Sequence, residues 1–400
     1  MSLLSRLFGA PSRAPQVETK RSRASAFVAL HGLGAARWTA RNNVALTREG
    51  FERNAVVHRC VRMIAESAAS IPWRLYQDRT ECDHHPALDL IERPNPLQTR
   101  VDLVEATVTS LLLFGDAYLE ACAIDGVIRE IYCLRADRMS VTPGRNGWPA
   151  AFEYTFGADR IRYDMRGEGV EPILHLKLNN PLDDYYGFAP LVAAQTALDT
   201  HNAAGFWNKA LLDNAARPSG ALVYGAGGAP MTDAQFDRLK QELDENFSGA
   251  VNAGRPLLLD GGLDWKALSL TPKDMDFIEA KAAAAREIAL CFGVPPLVLG
   301  LPGDNTHANY AEANRAFWRG AVIPMLSRMQ KAMEMWLKPA WDDIRLDYDL
   351  DRVDALAGER AAEWARVGAA DFLTRDEKRE ALGYGRIGGD VASPPRGSNA

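Results

Sequence analysis

Residues 271–300 read TPKDMDFIEAKAAAAREIALCFGVPPLVLG, and the reading of this stretch sets the organisation of the chain. Pro272 stands in a first helical turn, where its missing N–H costs nothing because that donor has no partner inside the helix. An alanine-rich run then leads to Gly293, a helix stop, and Pro295-Pro296 forbid continuation. The spacing predicts one helix over 271–293 and a stiff loop after it.

Upstream, Gly187-Phe188-Ala189-Pro190 opens a helix predicted over 190–215, rich in small residues at Ala193, Ala194, Ala197, Ala203, Ala204 and Ala210. Small side chains let a helix approach its neighbours closely on more than one side. Between the two helices lies a small β module, with strands expected at 220–224, 256–260 and 263–270. Its internal helix starts with Thr232 and Gln235 at capping-box spacing and carries Phe236, Leu239, Leu243 and Phe247 on one face. Downstream, a Pro/Gly-rich loop precedes a helix predicted over 309–337, about 43 Å long at 1.5 Å per residue. Pro324 is expected to kink it. A strand near 344–350 and a helical pair, 355–368 and 374–381, complete that half.

The N-terminal half is α+β. Val57, Cys60, Val61, Ile64 and Ala68 recur at three- and four-residue spacing in a helix predicted over 52–70, which Pro72 ends. Trp73–Gln77 alternates like a strand. Thr99 can cap a helix running through Leu103, Ala106, Leu111 and Leu113 to Gly115. From 116 to 178 short alternating runs (117–123, 127–134, 152–156, 173–178) are separated by Asp125-Gly126, Pro143-Gly144 and Asn146-Gly147, the signature of an antiparallel sheet with hairpins. Residues 1–45 have no clear periodicity and are expected to form a mobile arm; the stretch from Gly388 reads as a tail.

Composition narrows the function classes. The 46 Lys and Arg against 52 Asp and Glu leave a net charge of −6, which argues against a protein that grips nucleic acid by bulk electrostatics but not against one that surrounds it. Cys60, Cys82, Cys122, Cys133 and Cys291 are odd in number and scattered, so free, mostly buried thiols are expected. Met1–Phe8 lacks the long apolar core of a secretory signal, and the longest apolar candidate, Val108–Phe114, is too short to span a bilayer, so no membrane association is expected.

The candidate chemistry is thin. Gly225, Gly227 and Gly228 sit between a strand and a helix, but Pro230 occupies the place of a third glycine and no second βαβ unit follows, so nucleotide binding is not supported. Asp83-His84-His85 has adjacent histidines that point apart and no further ligands at metal spacing; a solvated turn before Pro86 is the simpler reading. His175 lies in an apolar strand and reads as a satisfied sheet histidine. Asp183-Asp184 and Asp342-Asp343 sit in turn-like settings. No nucleophile-plus-base pair emerges.

The stretch 271–300 resembles the most recognisable segment of the HK97-type phage portal family. Further pieces fit in family order: Arg93-Pro94-Asn95-Pro96, Leu113-Phe114-Gly115-Asp116-Ala117-Tyr118-Leu119, Leu174-His175-Leu176, Tyr186-Gly187-Phe188-Ala189-Pro190-Leu191, Asn214 to Gly220, and Asn309-Tyr310-Ala311-Glu312-Ala313 with Phe317 and Pro324. Together they span roughly residues 50–340. The chain's short C-terminal end is similar to the compact portals of alphaproteobacterial gene transfer agents.

That resemblance implies an α+β portal-type subunit: an arm (1–45), the N-terminal part of a wing (46–188), a first stem helix (189–215), a clip (216–270), a second stem helix (271–293), a tunnel loop (294–308), a kinked helix and strand of the wing (309–352) and a crown with tail (353–400). It implies a structural protein, not an enzyme, with no cofactor and no metal, forming a ring, usually of twelve copies, at one capsid vertex of a virion or phage-like particle assembled in the bacterial cytoplasm. Double-stranded DNA would pass through the ring in packaging and ejection, and the major capsid protein, the terminase large subunit and a head–tail adaptor would be partners. Leu299, Asp304, Asn305, Thr306 and His307 would border the DNA. Ala193, Ala194, Ala197 and Ala204 would pack the stem helices in the ring, and Phe236, Leu239, Leu243 and Trp265 would form the docking face of the clip. The stretch 299–307 contains no Lys or Arg, which suits a channel in which a polyanion must slide rather than stick. Two rival readings remain at this point: a metal-dependent nucleic-acid enzyme built from scattered carboxylates, and a capsid adaptor or scaffold that forms no ring.

Overall fold

The helix at Ala55–Ser70 (α2) shows how local chemistry sets a boundary. Asn54 adopts an extended backbone, and its Oδ1 accepts from Val56 N at 3.0 Å and Val57 N at 3.2 Å, so the helix starts there and not at residue 52. Before it come a short helix, Asn43–Thr47 (α1), capped by Asn42, and a π-helical turn, Arg48–Glu52. The chain is therefore already helical within the stretch expected to be an arm, because Asn42 caps α1 by accepting from Ala45 N. α2 buries Val57, Cys60, Val61, Ile64 and Ala68, the face its spacing predicted.

In this computed structural model the described residues are 39–40, 42–145, 147–213, 220–224, 232, 234, 237–238, 241, 263–267, 277–302 and 307–387. The chain divides into two units, one of residues 37–205 with 278–400, the other of residues 1–36 with 206–277.

The larger unit holds the main core. Helix α3 spans Pro86–Glu92 and α4 spans Arg100–Phe114, the latter opened by a Thr99–Asp102 capping box and closed by Gly115. α4 packs on α2. Buried Arg100 ties them: its Nη1 donates to the carbonyls of Ala69 (2.9 Å) and Ile71 (2.7 Å), using acceptors that the end of α2 leaves free, and its Nε meets Glu92 at 2.9 Å.

Three small antiparallel sheets complete this unit. β1 (Trp73–Gln77) lies between β2 (Thr80–Cys82) and β11 (Ile344–Tyr348); β3 (Asp116–Ile124) lies between β4 (Val127–Leu134) and β8 (Ile173–Lys177); and β5 (Met139–Pro143), β6 (Pro149–Phe156) and β7 (Asp159–Asp164) form the third. The single sheet expected over 116–178 is thus two, because the 3₁₀ turn Ala136–Arg138 breaks the ladder after β4. Tyr118, Met139, Phe152 and Ile173 form a separate apolar cluster with residues from both sheets.

The long C-terminal helix begins at His307. It runs as α8 (His307–Phe317), a π-helical turn at Trp318–Val322, and α9 (Ile323–Leu337), with Pro324 in the first turn of α9. Proline cannot donate to the carbonyl four residues back, and the widened turn accommodates that loss. α9 buries Leu326, Met329, Met333, Trp336 and Leu337. Two helices follow, α10 (Ala357–Ala369) and α11 (Arg375–Ala381), the second opened by a Thr374–Glu377 capping box.

The smaller unit contains a two-stranded antiparallel ladder, β9 (Gly220–Tyr224) with β10 (Leu263–Ala267), in which Leu222 faces Trp265. The expected strand at 256–260 lies outside the described residues. All five cysteines are free, but only Cys60 is fully buried, its thiol pushed up to about 12 by burial; the others are half-buried. Among the described residues no helix is long and apolar enough to cross a membrane.

Candidate functional site

The two helices bracketing the β9–β10 ladder are the candidate working element, and the first is rooted by a junction of three distant stretches. Gly115 ends α4 at φ +80°, and a β-carbon there would lie 2.6 Å from the carbonyl carbon of Gly187. The Gly115 carbonyl accepts from Leu178 N at 2.8 Å. Asp116 is buried, and its Oδ1 accepts from Gly187 N and from His175 Nε2, each at 2.8 Å. His175 stacks on Tyr118 (centroids 4.4 Å, 12°) and meets Phe152 edge-on at 5.6 Å. His175 is a satisfied sheet histidine. The stretches 113–119, 174–176 and 186–191, apart in sequence, meet here, a convergence that spacing could not reveal.

Past this junction Asp183 shapes a turn, accepting from Tyr185 N and Tyr186 N, and Pro190 starts a short helix, Pro190–Ala193 (α5). The chain breaks at Ala194 and resumes as α6, Gln195–Asp213, so the single helix expected over 190–215 is two.

A polar cluster holds α6 to the N-terminal elements. Thr39 donates through N (3.1 Å) and its hydroxyl to buried Asp199, and Gln195 Nε2 donates to the Thr39 carbonyl at 2.7 Å. Asn54 Nδ2 donates to His201 Nδ1 at 2.9 Å and to Asn202 Oδ1 at 2.8 Å, while Asn202 reaches back to the Glu49 carbonyl at 3.0 Å. With both Oδ1 bonds at the head of α2, Asn54 uses its full hydrogen-bonding capacity. His201 is held below the usual histidine range, first by burial and then by the positive Lys281, so it stays neutral and accepts from Asn54.

The second helix, α7 (Phe277–Cys291), buries Ala284, Ala285, Ile288 and Ala289 and exposes Ile278, Ala283, Arg286, Glu287 and Leu290. Its end is a Schellman motif: Gly293, at φ +69°, donates to Leu290 O at 3.0 Å, and Val294 N donates to Ala289 O at 2.9 Å. The loop beyond folds back on the body. Val298 N, Gly300 N and Leu301 N donate to Pro295, Leu297 and Pro296 carbonyls at 3.0 to 3.1 Å, and Arg286 donates to the Pro302 carbonyl.

The site residues named from sequence separate accordingly. Leu299 is half-buried against the core, because successive turns after Pro295 fold it inward, so it does not belong to an open loop. Asp304, Asn305 and Thr306 lie outside the described residues, and His307 opens α8. Ala194, Ala197 and Ala204 are 1%, 2% and 4% exposed within this one chain, so they pack its own interior, and only Ala193 of the four is exposed. The helical period that gathers them on one face turns that face inward and leaves Thr196, Thr200 and Ala203 outward. Phe236, Leu239 and Leu243 lie outside the described residues, and Trp265 is placed by its pairing with Leu222. Asp83 and His84 are exposed in a bend before Pro86, as expected, and half-buried His85 adds a cap to α3, its Nδ1 accepting from Ala87 N at 3.1 Å. Among the described residues no three His, Cys, Asp or Glu are grouped to hold a metal ion.

The sequence profile of the family described as phage portal protein matches residues 55–383. An uncharacterized protein of Rickettsia bellii is 39% identical over 85% of this chain and 89% of its own length. The portal protein of Enterobacteria phage HK97 is 24% identical over 84% of this chain and 80% of its own. Among solved structures, a chain in the neck of a native gene transfer agent particle, computed with C12 symmetry, is similar at a TM-score of 0.66 and 50% identity, covering 88% of this chain and 97% of that one.

Proposed function

This chain belongs to the phage portal protein family, and from that premise we propose that twelve copies close into a ring at one capsid vertex of a phage-like particle, giving double-stranded DNA its path in and out. The observation that carries this reading is the 50% identity, over nearly the whole of both chains, to a component of a particle neck reconstructed with twelvefold symmetry. The role is structural, and no catalytic residue, metal or cofactor is assigned.

In this reading α6 and α7 are the stem helices and the β9–β10 ladder belongs to the clip, where the terminase large subunit docks during packaging and a head–tail adaptor afterwards. The wing meets the major capsid protein, and residues 304–307 border the DNA. A ring needs one face of each subunit to meet a different face of the next, repeated until it closes. The outward face of α6, with Thr196, Thr200 and Ala203, and Ala193 at the end of α5 before it, are available for that contact, while Ala194, Ala197 and Ala204 pack inside their own subunit. A net charge of −6 and a stretch 299–307 without Lys or Arg suit passage, since no cationic surplus is there to trap a polyanion through counterion release.

Electron microscopy of the purified protein, with its native mass, tests the reading. Rings with a central hole and a mass of roughly half a megadalton, twelve times the 43.9 kDa chain, are expected. A protein that stays monomeric and joins no particle vertex overturns it.

A further inference from the structure

We infer that residues 382–387 form a releasable strap that holds the α10–α11 pair on the body and covers the open edge of β2. The inference does not depend on the ring.

The pair cannot be held by apolar burial. Val367 is the only buried residue of α10, and α11 has none, whereas α2 alone buries eight. At roughly 1.5–3 kcal/mol per large buried side chain, two short helices with a single such anchor need other contacts to stay in place.

Those contacts are polar, and apart from an Arg319–Glu359 ion pair to the long helix they gather at the strap. The Tyr384 ring lies beneath the guanidinium of Arg74 at 4.8 Å and beside that of Arg379 at 5.6 Å, edge-on to Trp364 at 5.8 Å, and its hydroxyl donates to Asp351. Arg360 joins three segments: it donates to Asp351 at 2.6 Å, to Glu363 at 2.7 Å and to the Leu382 carbonyl at 2.9 Å. Tyr76 of β1 donates to the Gly383 carbonyl at 2.6 Å, and Arg379 to the Gly385 carbonyl at 2.7 Å. Arg386 clasps Glu380 through two bonds, at 2.7 and 2.9 Å.

The strap also lies along β2. This strand is the edge of its sheet, and Arg386 N donates to the Arg79 carbonyl at 3.0 Å just before it. A β-carbon at Gly385 would sit 2.5 Å from Glu81 N, so only glycine fits against the strand. An uncovered edge offers unpaired donors and acceptors to any other chain. Release of the strap would therefore free the helix pair and present the β2 edge in one event. Half of the contacts are ion pairs or cation–ring contacts that salt weakens, so the strap is also a low-stability element among high-stability ones.

Hydrogen–deuterium exchange of the full-length protein in its native assembly tests this with Tyr384→Ala and, as a second variant that leaves the tyrosine in place, Gly385→Ala. Both are expected to speed exchange about tenfold in peptides covering 357–381 and 79–82, and to leave 55–70 and 100–114 unchanged. Added salt should shift wild type in the same direction. Unchanged exchange in 357–381 for both variants overturns the strap; so does an equal rise in all four regions, which would make these contacts part of global stability.

Discussion

Gly115 and Gly187 cross so closely that a β-carbon on the first would stand 2.6 Å from the carbonyl carbon of the second. Gly115 also holds φ +80°, a region costly for any other residue, and Asp116 next to it accepts from Gly187 N. The crossing fixes where the chain leaves the sheet and enters α5 and α6. Gly187→Ala should destabilise the larger unit by about 3 kcal/mol, because backbone on both sides must move. Urea denaturation followed by tryptophan fluorescence measures it; a change under ~0.5 kcal/mol would show that the crossing relaxes freely.

Asn54 ends one helix boundary and holds another helix at once. Asn54→Ala should cost about 2–4 kcal/mol, the cap plus the groups of His201 and Asn202 left without their donor. Asn54→Asp keeps the cap but cannot donate, so its cost should be smaller and confined to the α6 attachment. Proteolysis near 195–205, faster in both variants, reports that attachment separately from global unfolding.

What could be read from the sequence follows a physical line. Val57 to Ala68, Thr99 and Gly293 signal through neighbours within one helical turn, and each did what its spacing implied. β7 escaped notice because its side chains are nearly all exposed, leaving no buried alternation to see. The π-helical turns at 48–52 and 318–322 have no composition of their own. The Asp116–His175–Gly187 junction and the Tyr384 strap join residues tens to hundreds of positions apart, and no local pattern encodes such a meeting. Ala194 and Ala197 are expected from sequence to pack the ring, whereas both are buried within their own chain, because small side chains signal close packing without naming the partner.

His201 gives the stability a defined pH dependence. Burial and Lys281 hold its folded pKa below the ordinary value near 6.5, so the unfolded chain binds more protons as pH falls. The stabilising neutral form is complete above that value and its contribution is lost as pH drops from it towards the depressed folded one. His85, lowered by burial, acts in the same sense. Denaturation at pH 7.5 and 5.5 should show wild type losing stability at the lower pH, and His201→Gln, which still offers an acceptor to Asn54, losing less. An equal loss in both would assign the effect elsewhere.

The two faces of α6 make opposite demands, and one bulky residue placed on each separates them. Ala197 is 2% exposed inside its own chain, so Ala197→Trp should overpack the core, lower the stability of the isolated chain by about 1–3 kcal/mol or more, and reduce rings only as a consequence. Thr200 points outward, so Thr200→Trp should leave chain stability within ~0.5 kcal/mol of wild type while blocking ring closure. Melting temperature and native mass on the same samples decide it. If Thr200→Trp forms normal rings, the outward face of α6 is not the ring contact, and the subunits must meet through other elements even though a ring exists.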